Sequence, residues 1–177
     1  MKSPIQITEA LTVPEFISVN DELRVWFQGQ STQPGADDLF FRVNDANSCL
    51  PFYNAAIHLK LKMKKHLKKD ITLIRINTNG KVFGSPAHFH TDYSKPYYYT
   101  VVLFTELSWD TQWGGELVVQ NPTSREYHYH AYIPNNAVFF PSNWNHCGFS
   151  PNNFTCKMRS SVAFSYIGTE YLDQHVL

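Results

Sequence analysis

Eight histidines in 177 residues give this chain a rich supply of imidazole ligands: His58, His66, His88, His90, His128, His130, His146 and His175. His90-Thr91-Asp92 is the first group able to act together. In an extended segment, residues two apart project to one face, so an imidazole and a carboxylate enter one site. A second imidazole would complete two histidines and one carboxylate on one face of an octahedral ion. That set favours Fe(II) and leaves positions open for a co-substrate and oxygen. His146, in the turn-like stretch Ser142-Asn143-Trp144-Asn145-His146-Cys147, is the natural third ligand.

A second constellation lies thirteen residues past His146, where Arg159-Ser160-Ser161 opens an apolar strand. Arg159 and Ser161 share a face, and an arginine in such a strand needs an anionic partner. A guanidinium fork with a neighbouring hydroxyl grips a carboxylate. The other histidines have plainer readings. His88 forms a pocket wall or supports the neighbouring ligand; paired with His90 it resembles a cupin HxH, but no glutamate follows. His128-Tyr129-His130 sits in an alternating polar stretch and reads as a solvent-facing strand. His58 and His66 fall on a lysine-rich helix, and His175 in the tail. Tyr93 and Trp144, each within two residues of a proposed ligand, suit the pocket mouth, and Tyr99 of the Tyr97-Tyr98-Tyr99 run suits its wall.

The elements that must position these groups are legible in part. Residues 52–69 read as one clear helix, with Ala56, Leu59, Met63 and Leu67 at three- and four-residue spacing. Asp45, Asn47 or Ser48 is expected to cap it. Its six lysines between Lys60 and Lys69 read as a solvated face. Before it lie short β-like runs over Gln6–Val13, Leu23–Gln28 and Leu39–Val43, with a turn signal at Gln33-Pro34-Gly35-Ala36-Asp37-Asp38. After it come strands over Ile71–Asn77, Tyr97–Phe104, Glu116–Val119, Tyr127–Ile133, Ala137–Phe140 and Ser160–Tyr166, separated by turns that include Thr78-Asn79-Gly80. One helix followed by many short strands implies a helix packed on a barrel or sandwich.

Composition bounds the function. Fifteen basic residues balance fifteen acidic ones, which disfavours a phosphate-tracking groove for nucleic acid. Aromatic residues make up 15%, which suits a sheet-rich fold. Three irregularly spaced cysteines argue for a reducing compartment, and the N-terminus has no apolar signal core, so a cytoplasmic location is expected. No run approaches the ~18 apolar residues of a membrane span.

From about Ile71 to Tyr166 the sequence resembles the 2-oxoglutarate- and Fe(II)-dependent oxygenases, in the prolyl-4-hydroxylase-like branch. The motifs come in family order: His90/Asp92, Thr100, Trp109, Gly114-Gly115-Glu116-Leu117, His146 and Arg159-Ser160-Ser161. The resemblance implies a mainly β fold with packing helices, a double-stranded β-helix (jelly roll) over residues 71–168. The N-terminal strands and helix of residues 1–70 would support it within a single 1–177 domain. It implies iron held by His90, Asp92 and His146, with 2-oxoglutarate as co-substrate. The C5 carboxylate would meet Arg159, helped by Ser161 and Thr100. Succinate and carbon dioxide are the implied by-products of hydroxylating a small molecule or a peptidyl residue, prolyl included. Asp92 stands where halogenating relatives carry a small residue, which points to hydroxylation.

Two positions depart from the prolyl-hydroxylase pattern: Phe104 stands where a tyrosine often contacts the co-substrate, and Asn77 where another tyrosine is common. The competing function is a non-catalytic, cupin-like metal- or ligand-binding protein, which needs no buried guanidinium fork. A nucleic-acid demethylase of the same superfamily typically carries a second arginine six residues after the first, where this chain has Ser165.

Overall fold

The computed structural model describes residues 1–30, 39–43, 45–67 and 69–174. Two antiparallel sheets face each other. The larger has seven strands in the order β1 (Ile5–Ile7), β8 (Ala137–Pro141), β5 (Tyr98–Phe104), β10 (Arg159–Gly168), β4 (Ile71–Lys81), β3 (Leu39–Arg42) and β2 (Phe27–Gln30). The smaller runs β7 (Tyr127–His130), β6 (Leu117–Gln120) and β9 (Asn145–Gly148). From β4 onward the chain crosses back and forth between the sheets, with His90 bridged to β9 on the way from β4 to β5.

The strands carry apolar residues on alternate positions, and each parity feeds a different core. One core lies between the large sheet and the helices. There Val101, Leu103, Phe139, Val162, Phe164 and Tyr166 meet Phe16 and Val19 of α1 (Val13–Asp21) and Phe52, Ala56, Leu59 and Met63 of α2 (Leu50–Met63). The other lies between the sheets, where Val102 and Phe104 meet Leu117, Val119, Tyr132, Val138, Phe140 and Trp144. This second core forms the floor of the site.

Several sequence expectations change here. The β-like run over Gln6–Val13 yields only the three-residue β1, and Val13–Asp21 is a helix. Its start is a Thr-x-x-Glu pattern: the Thr12 amide and hydroxyl both donate to Glu15 Oε2, at 2.9 and 2.6 Å, with Pro14 in the first turn. The expected 52–69 helix runs Leu50–Met63 instead, because Pro51 suits a first turn and Cys49 is the capping residue. Asp45 precedes a short 3-10 turn over Ala46–Ser48. Thr78, Asn79 and Gly80 do not turn; they continue β4, each paired with β10. Of the stretch Ser142–Cys147, expected to be turn-like, Asn145, His146 and Cys147 lie in the strand Asn145–Gly148. The turn signal at Gln33–Asp38 and the tail residue His175 lie outside the described residues. Among the described residues no helix is long and apolar enough to cross a membrane.

Gly115 shows how tightly the sheets close near Arg159. Its φ is +85°, and a Cβ there would lie 3.1 Å from Arg159 Cγ and 3.2 Å from Trp109 Cζ2. Both strain and crowding oppose a side chain. Gly115→Ala is expected to cost about 1–3 kcal/mol, read as a lower urea midpoint at unchanged slope.

Candidate metal and anion site

His90, Asp92 and His146 converge. One ligand atom from each lies within 4.8 Å of the others. The two imidazole Nε2 atoms stand 3.7 Å (His90) and 3.6 Å (His146) from Asp92 Oδ1. Backbone pairing creates this meeting. His90 and His146 exchange both amide bonds, at 3.0 and 2.8 Å, and the Asp92 amide donates to the Ser142 carbonyl at 3.0 Å. The exchanged pair brings the His90 segment against β9, and the two-residue spacing then points Asp92 to the same side.

Each imidazole is oriented by the chain immediately before it. His90 Nδ1 donates to the His88 carbonyl at 3.1 Å, and His146 Nδ1 donates to the Trp144 carbonyl at 3.0 Å. A carbonyl only accepts, so these bonds fix the proton on Nδ1 and leave Nε2 with its lone pair free for a cation. Burial also drives the His146 pKa down, favouring the neutral, ligating form. Asp92 is held from its other oxygen: Thr100 Oγ1 donates to Oδ2 at 2.6 Å and lies 2.8 Å from Ser142 Oγ. Oδ1 is thereby turned toward the two imidazoles. Thr100→Val keeps the shape and removes that donor. Metal affinity is expected to fall about tenfold, measured by competition with a chelator.

Arg159 occupies the other end of the site. It is 2% exposed. Its Nε donates to the Gly115 carbonyl at 3.0 Å and Nη1 to Ser161 Oγ at 2.8 Å. Nη2 is buried without a hydrogen-bond partner. The guanidinium lies over the rings of Tyr132 and Phe104, at 5.2 and 5.6 Å. Burial lowers its pKa, and the groups that oppose this are Tyr132, Cys147 and Glu116. An orphaned donor on a buried cation costs about 1–3 kcal/mol or more, and an anion placed against Nη2 removes that cost.

Strand β9 connects the two ends. His146 and Gly148 are two residues apart and face one side, a separation of about 7 Å along a strand. A Cβ at Gly148 would lie 3.3 Å from Arg159 Nη2, so the guanidinium occupies the space a side chain there would take. A cation held by the triad would stand beside His146, and the orphaned Nη2 stands beside Gly148 of the same strand. The walls between are the apolar side chains of the second core.

The structure distributes the remaining candidates differently from the sequence expectation. Ser161 is in place beside Arg159. Thr100 is not: it pairs with Ser165, six residues along β10 from Arg159, and serves Asp92 instead. Tyr99 points away from the triad into the helix-side core, because Thr100 claims the opposite parity of β5. Tyr98 takes the site face and stacks on Tyr93, with ring centroids 4.3 Å apart. Alternation counted back from Thr100 was the available signal. His88 offers its carbonyl to the His90 imidazole, and the residue is exposed. Trp144 packs in the second core. Tyr99 and Trp144 both border a cavity of about 560 Å³ that none of the three triad residues lines. His128 and His130 are not solvent-facing. They pair with Val119 and Leu117, which face inward, so Tyr127 and Tyr129 take the outer side at 50% and 72% exposure.

No protein-family model matches the chain, and no curated protein matches it in sequence. Solved structures do resemble it. A prolyl hydroxylase from Trichoplax adhaerens, in complex with a hypoxia inducible factor peptide, aligns with a TM-score of 0.72 at 15% identity, covering 98% of this chain and 87% of that one. A Pseudomonas putida prolyl-4-hydroxylase aligns at 0.68 and 16% identity, covering 95% and 94%. HygX from Streptomyces hygroscopicus, with nickel and 2-oxoglutarate bound, aligns at 0.69 and 13% identity, covering 95% and 84%. The likeness establishes the fold: the chain is a mainly β jelly roll with packing helices, the architecture of the 2-oxoglutarate/Fe(II) oxygenases.

Proposed function

We propose that this protein is a 2-oxoglutarate- and Fe(II)-dependent dioxygenase that hydroxylates a small-molecule or peptidyl substrate, with residues 1–177 acting as one domain. The observation that carries the reading is the pairing of two unsatisfied ends in one inter-sheet space. Three ligand atoms converge with their free electron pairs turned toward one another, and near Gly148, two residues along β9 from His146, a buried guanidinium carries an orphaned donor. The donor set suits iron, and the orphaned Nη2 suits a carboxylate. His90, Asp92 and His146 would hold the metal, and Arg159 with Ser161 would hold the far carboxylate of 2-oxoglutarate. Bound together, iron and 2-oxoglutarate supply oxygen-driven C–H oxidation, with succinate and carbon dioxide released.

The chain's own residues do the rest. Backbone carbonyls at His88 and Trp144 and the Thr100 hydroxyl orient the three ligands before any metal arrives. Val102, Phe104, Leu117, Val119 and Phe140 are buried between the sheets and would give the reacting centre an apolar floor. Tyr93, next to Asp92 in the chain, stacks on Tyr98 and would be a substrate contact at the pocket mouth. Similar folds accept both substrate classes: the Trichoplax structure holds a peptide, and a second HygX structure holds hygromycin B.

Oxygen-dependent conversion of 2-oxoglutarate to succinate by the iron-loaded protein tests the reading, with candidate peptides and polyhydroxylated small molecules screened for stimulation. No succinate from any of them, with both iron and 2-oxoglutarate shown to bind, would favour a non-catalytic binding protein. The buried Arg159 favours the enzyme.

A further inference from the structure

We propose that the cavity beside the turn 141–144 is an effector site for a small aromatic carboxylate, whose binding tightens the metal; this rests on reading His90, Asp92 and His146 as metal ligands. The cavity has a volume of about 560 Å³, within the range of small-molecule sites. Its walls come from the N-terminal segment, the stretch after α2, the start of β5 and the turns after β6 and β8. One buried side chain ties two of these walls together. Asn121 Nδ2 donates to the Lys2 carbonyl at 2.7 Å, and Asn121 Oδ1 accepts from the Thr123 amide at 2.8 Å. The lining indicates the occupant. Tyr99, Pro141 and Trp144 are buried residues that give it apolar walls, which an aromatic ring can cover. Lys2 and His66 are exposed and add an ammonium and an imidazole. Among the described residues that line the cavity none is acidic. Apolar walls beside a cation, with no carboxylate, favour a ring that carries a negative charge over the same ring without one.

The turn that walls the cavity also orients the metal ligands. The Trp144 amide donates to the Pro141 carbonyl at 3.0 Å and closes the turn. The Ser142 carbonyl accepts from the Asp92 amide at 3.0 Å, and the Trp144 carbonyl accepts from His146 Nδ1 at 3.0 Å. Pro141, Asn143 and Trp144 of the same turn line the cavity. A ring packed against Pro141 and Trp144 holds the turn in the arrangement that presents those two carbonyls. The metal then meets ligands already ordered and binds more tightly. By linkage, the metal tightens the effector by the same factor.

The experiment uses 2-naphthoate as the probe and 2-naphthylmethanol as its neutral counterpart, with calorimetry on the metal-free and the nickel-loaded protein. Nickel is titrated first with neither probe present. If it does not bind, the metal reading fails, and the effector role with it. With nickel bound, 2-naphthoate is expected to bind about fivefold more tightly than the alcohol. It is also expected to bind about fivefold more tightly to the nickel-loaded than to the metal-free protein. Lys2→Glu is expected to remove the preference for the carboxylate. His66→Glu, on a different wall, is read by the same comparison should Lys2→Glu fail to fold. A preference that survives these substitutions would put the carboxylate on the metal or on Arg159 and overturn the proposal. No binding of 2-naphthoate, equal binding of the two probes, or equal binding with and without nickel would overturn it as well.

Discussion

Replacing His146 with alanine is expected to abolish tight iron binding, lowering affinity by more than about a hundredfold, since altering residues that only support a ligand already costs about 10- to 100-fold. His146 is the most buried of the three ligands, with its side chain 6% exposed against 35% for His90 and 26% for Asp92. Water that replaces the lost imidazole therefore enters a confined space bounded by Phe140, whose ring lies 4.7 Å away. The backbone pairing with His90 does not involve the side chain, so the fold is expected to survive. Chelator competition and far-UV circular dichroism on the same sample separate loss of metal from loss of structure. Retained affinity in a folded His146→Ala protein would remove this residue from the ligand set.

Arg159→Met is expected to weaken 2-oxoglutarate by about a hundredfold or more, because truncating one partner of a buried charge pair costs about 2–5 kcal/mol. Methionine keeps apolar contact with Phe104 and Tyr132 and deletes the charge. Metal affinity is expected to stay within about threefold of wild type, since none of the bonds that orient the triad passes through Arg159. The two variants thus fail in different ways: one loses the metal, the other keeps it and loses the co-substrate. A single defect shared by both would indicate a general collapse of the inter-sheet space.

The parts of the site readable in the sequence were those that depend on residue type and short spacing. His90 and Asp92 share a face in any extended chain. Arg159 in an apolar strand reads as a buried cation whatever surrounds it, and it is buried. The parts that were not readable depend on pairing between distant strands. Thr100 looked like a co-substrate contact until β5 was registered on β10, which set it opposite Ser165 and within reach of Asp92. Tyr99 and Tyr98 differ by one residue, and one residue inverts the face. His128 and His130 alternate with tyrosines, and the period alone does not say which parity is buried; pairing with Leu117 and Val119 decides it. The α1 helix, by contrast, was announced by Thr12 and Glu15 and obscured by the β-branched residues around them.

The central claim is that one metal held by His90, Asp92 and His146 and one 2-oxoglutarate held by Arg159 share a single site. Anaerobic addition of 2-oxoglutarate to the Fe(II)-loaded protein tests this most directly, because chelation of iron by the 2-oxo acid produces a weak visible charge-transfer band. The account expects the band in the wild-type protein, its loss in His146→Ala, and its recovery in Arg159→Met only at much higher 2-oxoglutarate. Iron shown to be bound, with no band at any 2-oxoglutarate concentration, would contradict it.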